Sequence, residues 1–204
     1  MRKTIISWSL VVIVLALPSG LVLADGKGNL QALLRGDYDF VTIEECVASP
    51  EGFSEDDYLI PLGPSNNSAS YVMGTMSFDG QGNAVSSSSV MAVNEDPLNN
   101  PLGFSIFSGH FECSYTYTVN PDRSFTLVQN ECTGVGVKGA PGLRLRITGG
   151  VGRGVIGQHI QTIQIAAVEP ALQYMTLDET FTIPRYCTYV QTSQRARRDT
   201  GHMQ

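Results

Sequence analysis

The sequence predicts an all-β protein, an antiparallel up-and-down barrel of about eight strands that follows a cleaved signal peptide. Three observations carry that reading. Apolar and polar residues alternate with a period of two through much of the chain after residue 35. The alternating runs are separated by clusters of Gly, Pro, Asn, Asp and Ser, the residues that turns require. Four cysteines follow the leader, two of them in the first and the last of the predicted strands.

The leader comes first. Arg2 and Lys3 form a basic head, and an apolar run from Leu10 to Leu17 continues until Pro18 and Gly20 break it. Val22-Leu23-Ala24 then places small or modest side chains at the −3 and −1 positions of a cleavage site before Asp25. This layout is that of a secretory signal peptide over residues 1–24, its apolar core shorter than the roughly 20 residues of a membrane span. Cleavage leaves 180 residues, enough for one domain, assigned to residues 25–193. It also leaves 11 basic against 19 acidic residues, a net charge of −8 that repels nucleic acid and anionic membrane surfaces. No second apolar run approaches spanning length. The predicted product is exported, to the periplasm or the extracellular space, with no integral membrane segment.

Asn29 to Arg35 has room for one or two helical turns. Gly36 to Ile43 is the first alternating run, with Tyr38 and Phe40 on one side. A loop from about Ala48 to Ala69 carries three prolines and the polar run Ser65 to Ser68, which includes an Asn66-Asn67-Ser68 glycosylation sequon relevant only in a eukaryotic host. Tyr71 to Phe78 is the second strand, with Tyr71, Met73, Thr75 and Ser77 opposing Val72, Met76 and Phe78. The turn Asp79-Gly80-Gln81-Gly82-Asn83 follows, since its glycines and Asn83 tolerate positive φ. Ala84 to Val93 is the third strand, and Asn94 to Pro101 a loop. Phe104 to Val119 is long enough to bend at Ser108-Gly109, and Ser124 to Thr133 is its hairpin partner across Asn120-Pro121-Asp122-Arg123. Leu143 to Ile147 alternates apolar with cationic residues, the mark of a strand with one wet face. The glycine-rich stretch Gly149 to Gly154 reads as a flexible hairpin connection leading to Ile160–Ile165. Thr180 to Ile183 and Tyr186 to Val190 complete the strands, and Gln194 to Gln204 reads as a disordered polar tail. A sandwich is the competing architecture. The barrel is preferred because sequential strands then close without exposed edges.

Cys46, Cys113, Cys132 and Cys187 are separated by 67, 19 and 55 residues, with no CxxC pair. In an oxidising compartment the even count reads as disulfides rather than a zinc or thioredoxin-type site. Three pairings are possible, and spacing alone does not choose. Hairpin geometry favours Cys113–Cys132, since the two flank one turn. Cys46–Cys187 then follows by elimination and latches the seam of a barrel whose first and last strands are neighbours. Free buried thiols are the alternative.

Gly36-x-Tyr38-x-Phe40, Gly74-Thr75-Met76-Ser77-Phe78-Asp79-Gly80-Gln81-Gly82-Asn83 and Tyr115-Thr116-Tyr117-Thr118-Val119-Asn120-Pro121-Asp122 form a layout over roughly residues 30–190. It resembles a broad group of exported bacterial proteins with small β-barrel folds of lipocalin-like or allene-oxide-cyclase-like shape. The resemblance implies that fold and bacterial export. It implies no particular activity.

His110 and Glu112, two apart on a strand, are the weak acid–base candidates. The plainer reading puts both, with Ser114, Thr116 and Thr118, on a solvated outer face opposite Phe111, Tyr115, Tyr117 and Val119. Asp79 to Asn83 lacks the closing carboxylate of a calcium loop. Gly149 to Gly154 lacks the Lys-Ser/Thr of a phosphate loop. The acidic pairs and triplets at Glu44-Glu45, Glu55-Asp56-Asp57 and Glu95-Asp96 read as solvation rather than a metal site. No cofactor or metal is expected.

The leading functional reading is a non-enzymatic exported barrel that binds a small apolar ligand or a surface partner. The alternatives are an isomerase- or cyclase-type enzyme, which rests on fold analogy because no catalytic motif of the allene-oxide-cyclase barrels is present, and a structural or adhesive envelope protein. An interior cavity of ~300 Å³ or more would favour binding or catalysis, a packed interior the third class, and a convergent polar pair inside the cavity would lift the enzyme.

Overall fold

The computed structural model describes residues 29–55, 59–94, 105–167 and 169–196. The leader, residues 56–58, the 95–104 loop with its acidic pair, and most of the tail lie outside them. After a short 3₁₀ turn, Leu30–Leu33, ten strands follow: β1 (Arg35–Ala48), β2 (Asn66–Asp79), β3 (Asn83–Asn94), β4 (Ile106–Val119), β5 (Ser124–Lys138), β6 (Arg144–Gly149), β7 (Val151–Ile156), β8 (Thr162–Ala166), β9 (Ala171–Leu177) and β10 (Phe181–Arg195). All pairings are antiparallel.

The ten strands close as a ring of eight wall positions, because two positions are each filled by two pieces. The far half of β5, Glu131 to Val135, pairs with β6, and its near half, Ser124 to Val128, pairs with β7. Likewise Phe181 to Cys187 of β10 pairs with β9, and Val190 to Gln194 with β8. β6 with β9 closes one end of the barrel and β7 with β8 the other. β1 then pairs with β10 from Tyr38↔Arg195 to Ala48↔Arg185, so the first strand lies beside the last.

Several boundaries differ from those read in the sequence. β2 starts at Asn66, inside the stretch read as loop, because Asn66 and Ser70 turn inward and Asn66 donates from Nδ2 to Asn94 Oδ1 at 3.0 Å. The sequon asparagine is therefore buried. Gly149 to Gly154 is not a flexible connection: after a single break at Gly150 it runs as strand β7, with Gly152 and Gly154 facing inward. β9 lies in a stretch to which the sequence reading assigns no strand. β10 runs through Arg195, so Gln194 and Arg195 are strand rather than tail, and Arg195 N–H donates to Gln161 O at 2.7 Å.

The β4–β5 hairpin carries one extra residue that sets the disulfide. From Val119↔Phe125 to Tyr115↔Gln129 the register is constant, and its continuation would oppose Cys113 to Glu131. The register steps between Ser114 and Tyr115 as Asn130 is bulged out, and Cys113 faces Cys132 instead. The same step switches the inward residues of β5 from Phe125 and Leu127 to Cys132, Gly134 and Gly136. The second disulfide joins the directly paired Cys46 and Cys187 across the β1–β10 seam.

Two packed clusters fill the barrel at different heights. One, at the end of the Asp79–Asn83 turn, includes Tyr38, Phe40, Met76, Phe78, Tyr117, Phe125, Ile163 and Ile165, with Leu34 as a plug. Tyr117 Oη donates to Leu34 O at 2.8 Å and to Gln31 O at 3.1 Å, tying the 3₁₀ turn across the end. The other cluster is smaller: Ala48, Phe107, Phe111, Cys132, Leu145, Met175 and Ile183.

Candidate functional site

Beyond the first cluster the inward positions change character, and the residues of the second cluster become the wall of a cavity. On β1, Tyr38 and Phe40 give way to Thr42, Glu44 and Cys46; on β10, Ser193 and Gln191 lead to Tyr189, Cys187 and Arg185; on β2 and β3, inward serines replace large side chains. Short side chains leave space. The result is a partly open cavity of about 160 Å³ with a mainly apolar wall that includes Phe40, Val90, Phe111, Leu127, Ile147 and Met175.

A polar belt crosses this wall. Arg185 Nη2 donates to Gln173 Oε1 and lies 3.8 Å from Glu44 Oε2, the two charged side chains being 10% and 16% exposed. Gln173 Nε2 in turn donates to Glu44 Oε1 at 3.4 Å. Thr42 Oγ1 donates to Gln191 Oε1 at 3.2 Å, and Gln191 Nε2 donates to Ser193 Oγ at 3.0 Å. The Tyr115 hydroxyl lies 3.3 Å from Ser86 Oγ. Burial, opposed by that hydrogen bond and reinforced by the Glu44 charge, pushes the Tyr115 phenol up to about 12. Burial also raises Tyr189, with Tyr115 and Glu44 adding to the effect. Both phenols are neutral donors at physiological pH. Three buried polar atoms of cavity-lining residues have no partner: Arg185 Nε, Gln129 Nε2 and Asn66 Oδ1. Unmatched buried groups of this kind ask for a ligand or an ordered water.

The glycines at the β6–β7 break and along β7 leave room for the belt and for the rings beside it. A Cβ on Gly150 would meet Gln173 Nε2 at 3.2 Å, and one on Gly154 would meet the Phe125 ring at 2.5 Å. A Cβ on Gly152 would overlap the Tyr189 hydroxyl. These glycines are absent side chains that let larger ones cross the interior.

His110 and Glu112, the acid–base pair named from sequence, are exposed on the outer wall, where Ser89 Oγ lies 3.1 Å from His110 Nδ1. Glu112 lines a shallow outer depression with Ser87 and Glu131, and Glu131 pairs with Arg146 at 2.7 Å. The Asp79 carboxylate is spent on its own turn: Oδ1 accepts the Gln81 and Asn83 N–H groups at 2.6 and 3.0 Å, and Oδ2 accepts Asn83 Nδ2 at 2.8 Å, which holds the acid down near about 2. Among the described residues the one group with metal-ligand proximity is Glu44, Cys46 and Cys187, and its two sulfurs are bonded to each other. No helix of the described residues is long and apolar enough to cross a membrane.

The outer wall also carries a lateral row of exposed apolar side chains, Val190, Ile43, Tyr71 and Met91, on four adjacent strands.

Sequence reasoning missed Glu44, Gln129, Gln173 and Arg185. Glu44 was grouped with Glu45 as a solvated pair, although a period of two places it on the face of Tyr38 and Phe40. That phase was the available signal. Comparison with family models, with curated proteins and with solved structures finds no match to this chain.

Proposed function

We propose that the chain is an exported binding protein whose barrel holds one compact, largely apolar molecule in its loop-end half, beyond the packed turn end. The observation that supports this is the cavity of about 160 Å³, bounded by aromatic and aliphatic walls and crossed by a hydrogen-bonded belt. That volume is near the roughly 150 Å³ of an engineered cavity that binds benzene. It falls short of the ~300 Å³ named above as favouring binding or catalysis, the size at which pockets for drug-sized ligands begin. The ligand is therefore small. Two disulfides are compatible with export into an oxidising compartment. A structural role for the interior would favour continuous packing where this space lies. Native mass spectrometry of protein purified from its own host tests the reading: a retained small molecule is expected, and recovery of the bare chain at every attempt would count against it.

A second reading, an isomerase- or cyclase-type enzyme, is favoured by Glu44 and Arg185 facing each other inside the same cavity near Tyr115. A carboxylate there can move a proton while the guanidinium or a neutral phenol stabilises developing negative charge on oxygen. Incubating the retained molecule with the protein separates the two. Return of the molecule unaltered supports binding, whereas conversion that Glu44→Gln abolishes without loss of affinity supports the enzyme.

A further inference from the structure

We infer that the cavity selects a neutral molecule of roughly benzene size carrying a hydrogen-bond acceptor oxygen, such as a ketone, lactone or ether. This rests on the binding reading above and specifies the ligand's chemistry. Two of the three orphaned atoms, both donors, set the first requirement; the third, Asn66 Oδ1, is an acceptor and places no demand on a ligand oxygen's lone pair. Arg185, 9% exposed, engages Gln173 and faces Glu44 through Nη2 and leaves Nε unmatched. Gln129 likewise leaves Nε2 unmatched. Both are donors in the wall of one cavity, and the residues between them are neighbours across the barrel: Gln129 N–H donates to Gly150 O, Gln173 packs over Gly150, and Gln173 pairs with Arg185. A buried donor is satisfied by an acceptor, and an oxygen lone pair supplies one.

Charge sets the second requirement. Arg185 is countered by Glu44 at 3.8 Å, so the interior pair is neutral before any ligand enters. A carboxylate ligand would leave an uncompensated negative charge beside Glu44 in a mostly apolar wall, which is costly. An ammonium ligand would meet unmatched donors. A neutral acceptor oxygen satisfies both conditions, and the apolar remainder of the molecule faces Phe40, Phe111, Leu127 and Met175.

Three six-membered-ring probes isolate the head group: cyclohexanone, methylenecyclohexane, which replaces the carbonyl oxygen by CH₂, and cyclohexanecarboxylate. Their dissociation constants for the oxidised mature chain are measured by ligand-observed NMR. Cyclohexanone is expected to bind about tenfold or more tightly than either of the others. Gln129→Leu is expected to remove most of that preference while methylenecyclohexane affinity holds or rises, with the fold checked by circular dichroism; if this variant does not fold, the three wild-type constants decide alone. Equal binding of cyclohexanone and methylenecyclohexane overturns the acceptor requirement and leaves the binding reading standing. Tightest binding by cyclohexanecarboxylate overturns neutrality. Failure of all three overturns this inference, and the binding reading falls with it only if host-purified protein also retains no small molecule.

Discussion

Along β1, Tyr38 packs edge-on to Phe78 and Phe40 joins the same cluster, while Thr42 and Glu44, next on the same inward face, border open space and a polar belt. The contrast extends around the barrel. At the turn end, Phe78 stands edge-to-face with Tyr38 at 5.6 Å and Tyr117 at 5.2 Å, and Leu34 plugs the base. At the loop end fewer large side chains meet, the Phe107–Phe111 contact is 6.3 Å, the Cys113–Cys132 disulfide joins their cluster, and Cys46–Cys187 lies at the same end, between Glu44 and Ala48 along β1. Covalent staples occur where packing is thinner. One half of the barrel supplies a cooperative core, and the other is held open enough to carry a cavity.

The largest expected effect tests the staples. In the chain-entropy model, closing 141 residues with Cys46–Cys187 contributes about 5 kcal/mol and closing 19 with Cys113–Cys132 about 3. Cys46→Ser with Cys187→Ser should lower the urea midpoint more than the hairpin pair does. Hydrogen exchange in that variant should rise first in β9 and the start of β10 and leave Tyr117 and Phe125 protected. Uniform loss of protection would show that the two halves are one cooperative unit.

Next come paired truncations. Phe78→Ala removes a buried ring packed edge-to-face with Tyr38 and Tyr117 and should cost about 3–5 kcal/mol. Phe111→Ala removes a ring that already borders empty space, and its cost should fall at or below the low end of that range, about 3 kcal/mol, since fewer contacts are lost. Equal losses in denaturant melts would erase the proposed difference in packing.

The alkaline limb probes the belt. Tyr115 is raised from 10.0 to about 12 on folding, so its contribution is complete below pH 10 and is lost as pH climbs from 10 through about 12. The size is of order 2–3 kcal/mol. Tyr115→Phe should start less stable, having lost the Ser86 contact, and should decline less over that range. An unchanged slope in stability against pH would mean the other raised phenols, Tyr38, Tyr117 and Tyr189, dominate.

The smallest effect is on the outer wall. Replacing His110 and Glu112 with alanine should change stability by no more than about 0.5 kcal/mol and leave probe binding intact. A larger loss would mean that this strand carries more than solvated side chains.

Strict alternation and strong turn residues made most of the wall legible. Tyr38 and Phe40, the Asp79–Asn83 turn and the bend at Ser108-Gly109 each carry a local signal, since pleating and positive φ are properties of a few adjacent residues. The class of fold and the seam between first and last strands follow from such signals. β7 is obscure in sequence because glycine carries no apolar phase, and Gly152 and Gly154 face inward beneath Tyr189 of β10 and Phe125 of the neighbouring β5. β9 is obscure because its inward face includes Gln173 while Leu172 and Tyr174 face out. Folding the hairpin about its turn paired Cys113 with Cys132 in sequence, yet the turn's own register opposes Cys113 to Glu131, and only the bulge at Asn130 corrects it. The site was hidden for a related reason. Glu44, Gln129, Gln173 and Arg185 come from four strands spread over 141 residues, and each looks like ordinary surface polarity beside its chain neighbours. A period of two assigns residues to a face, whereas closure of the sheet decides that one face surrounds a shared interior where those side chains meet.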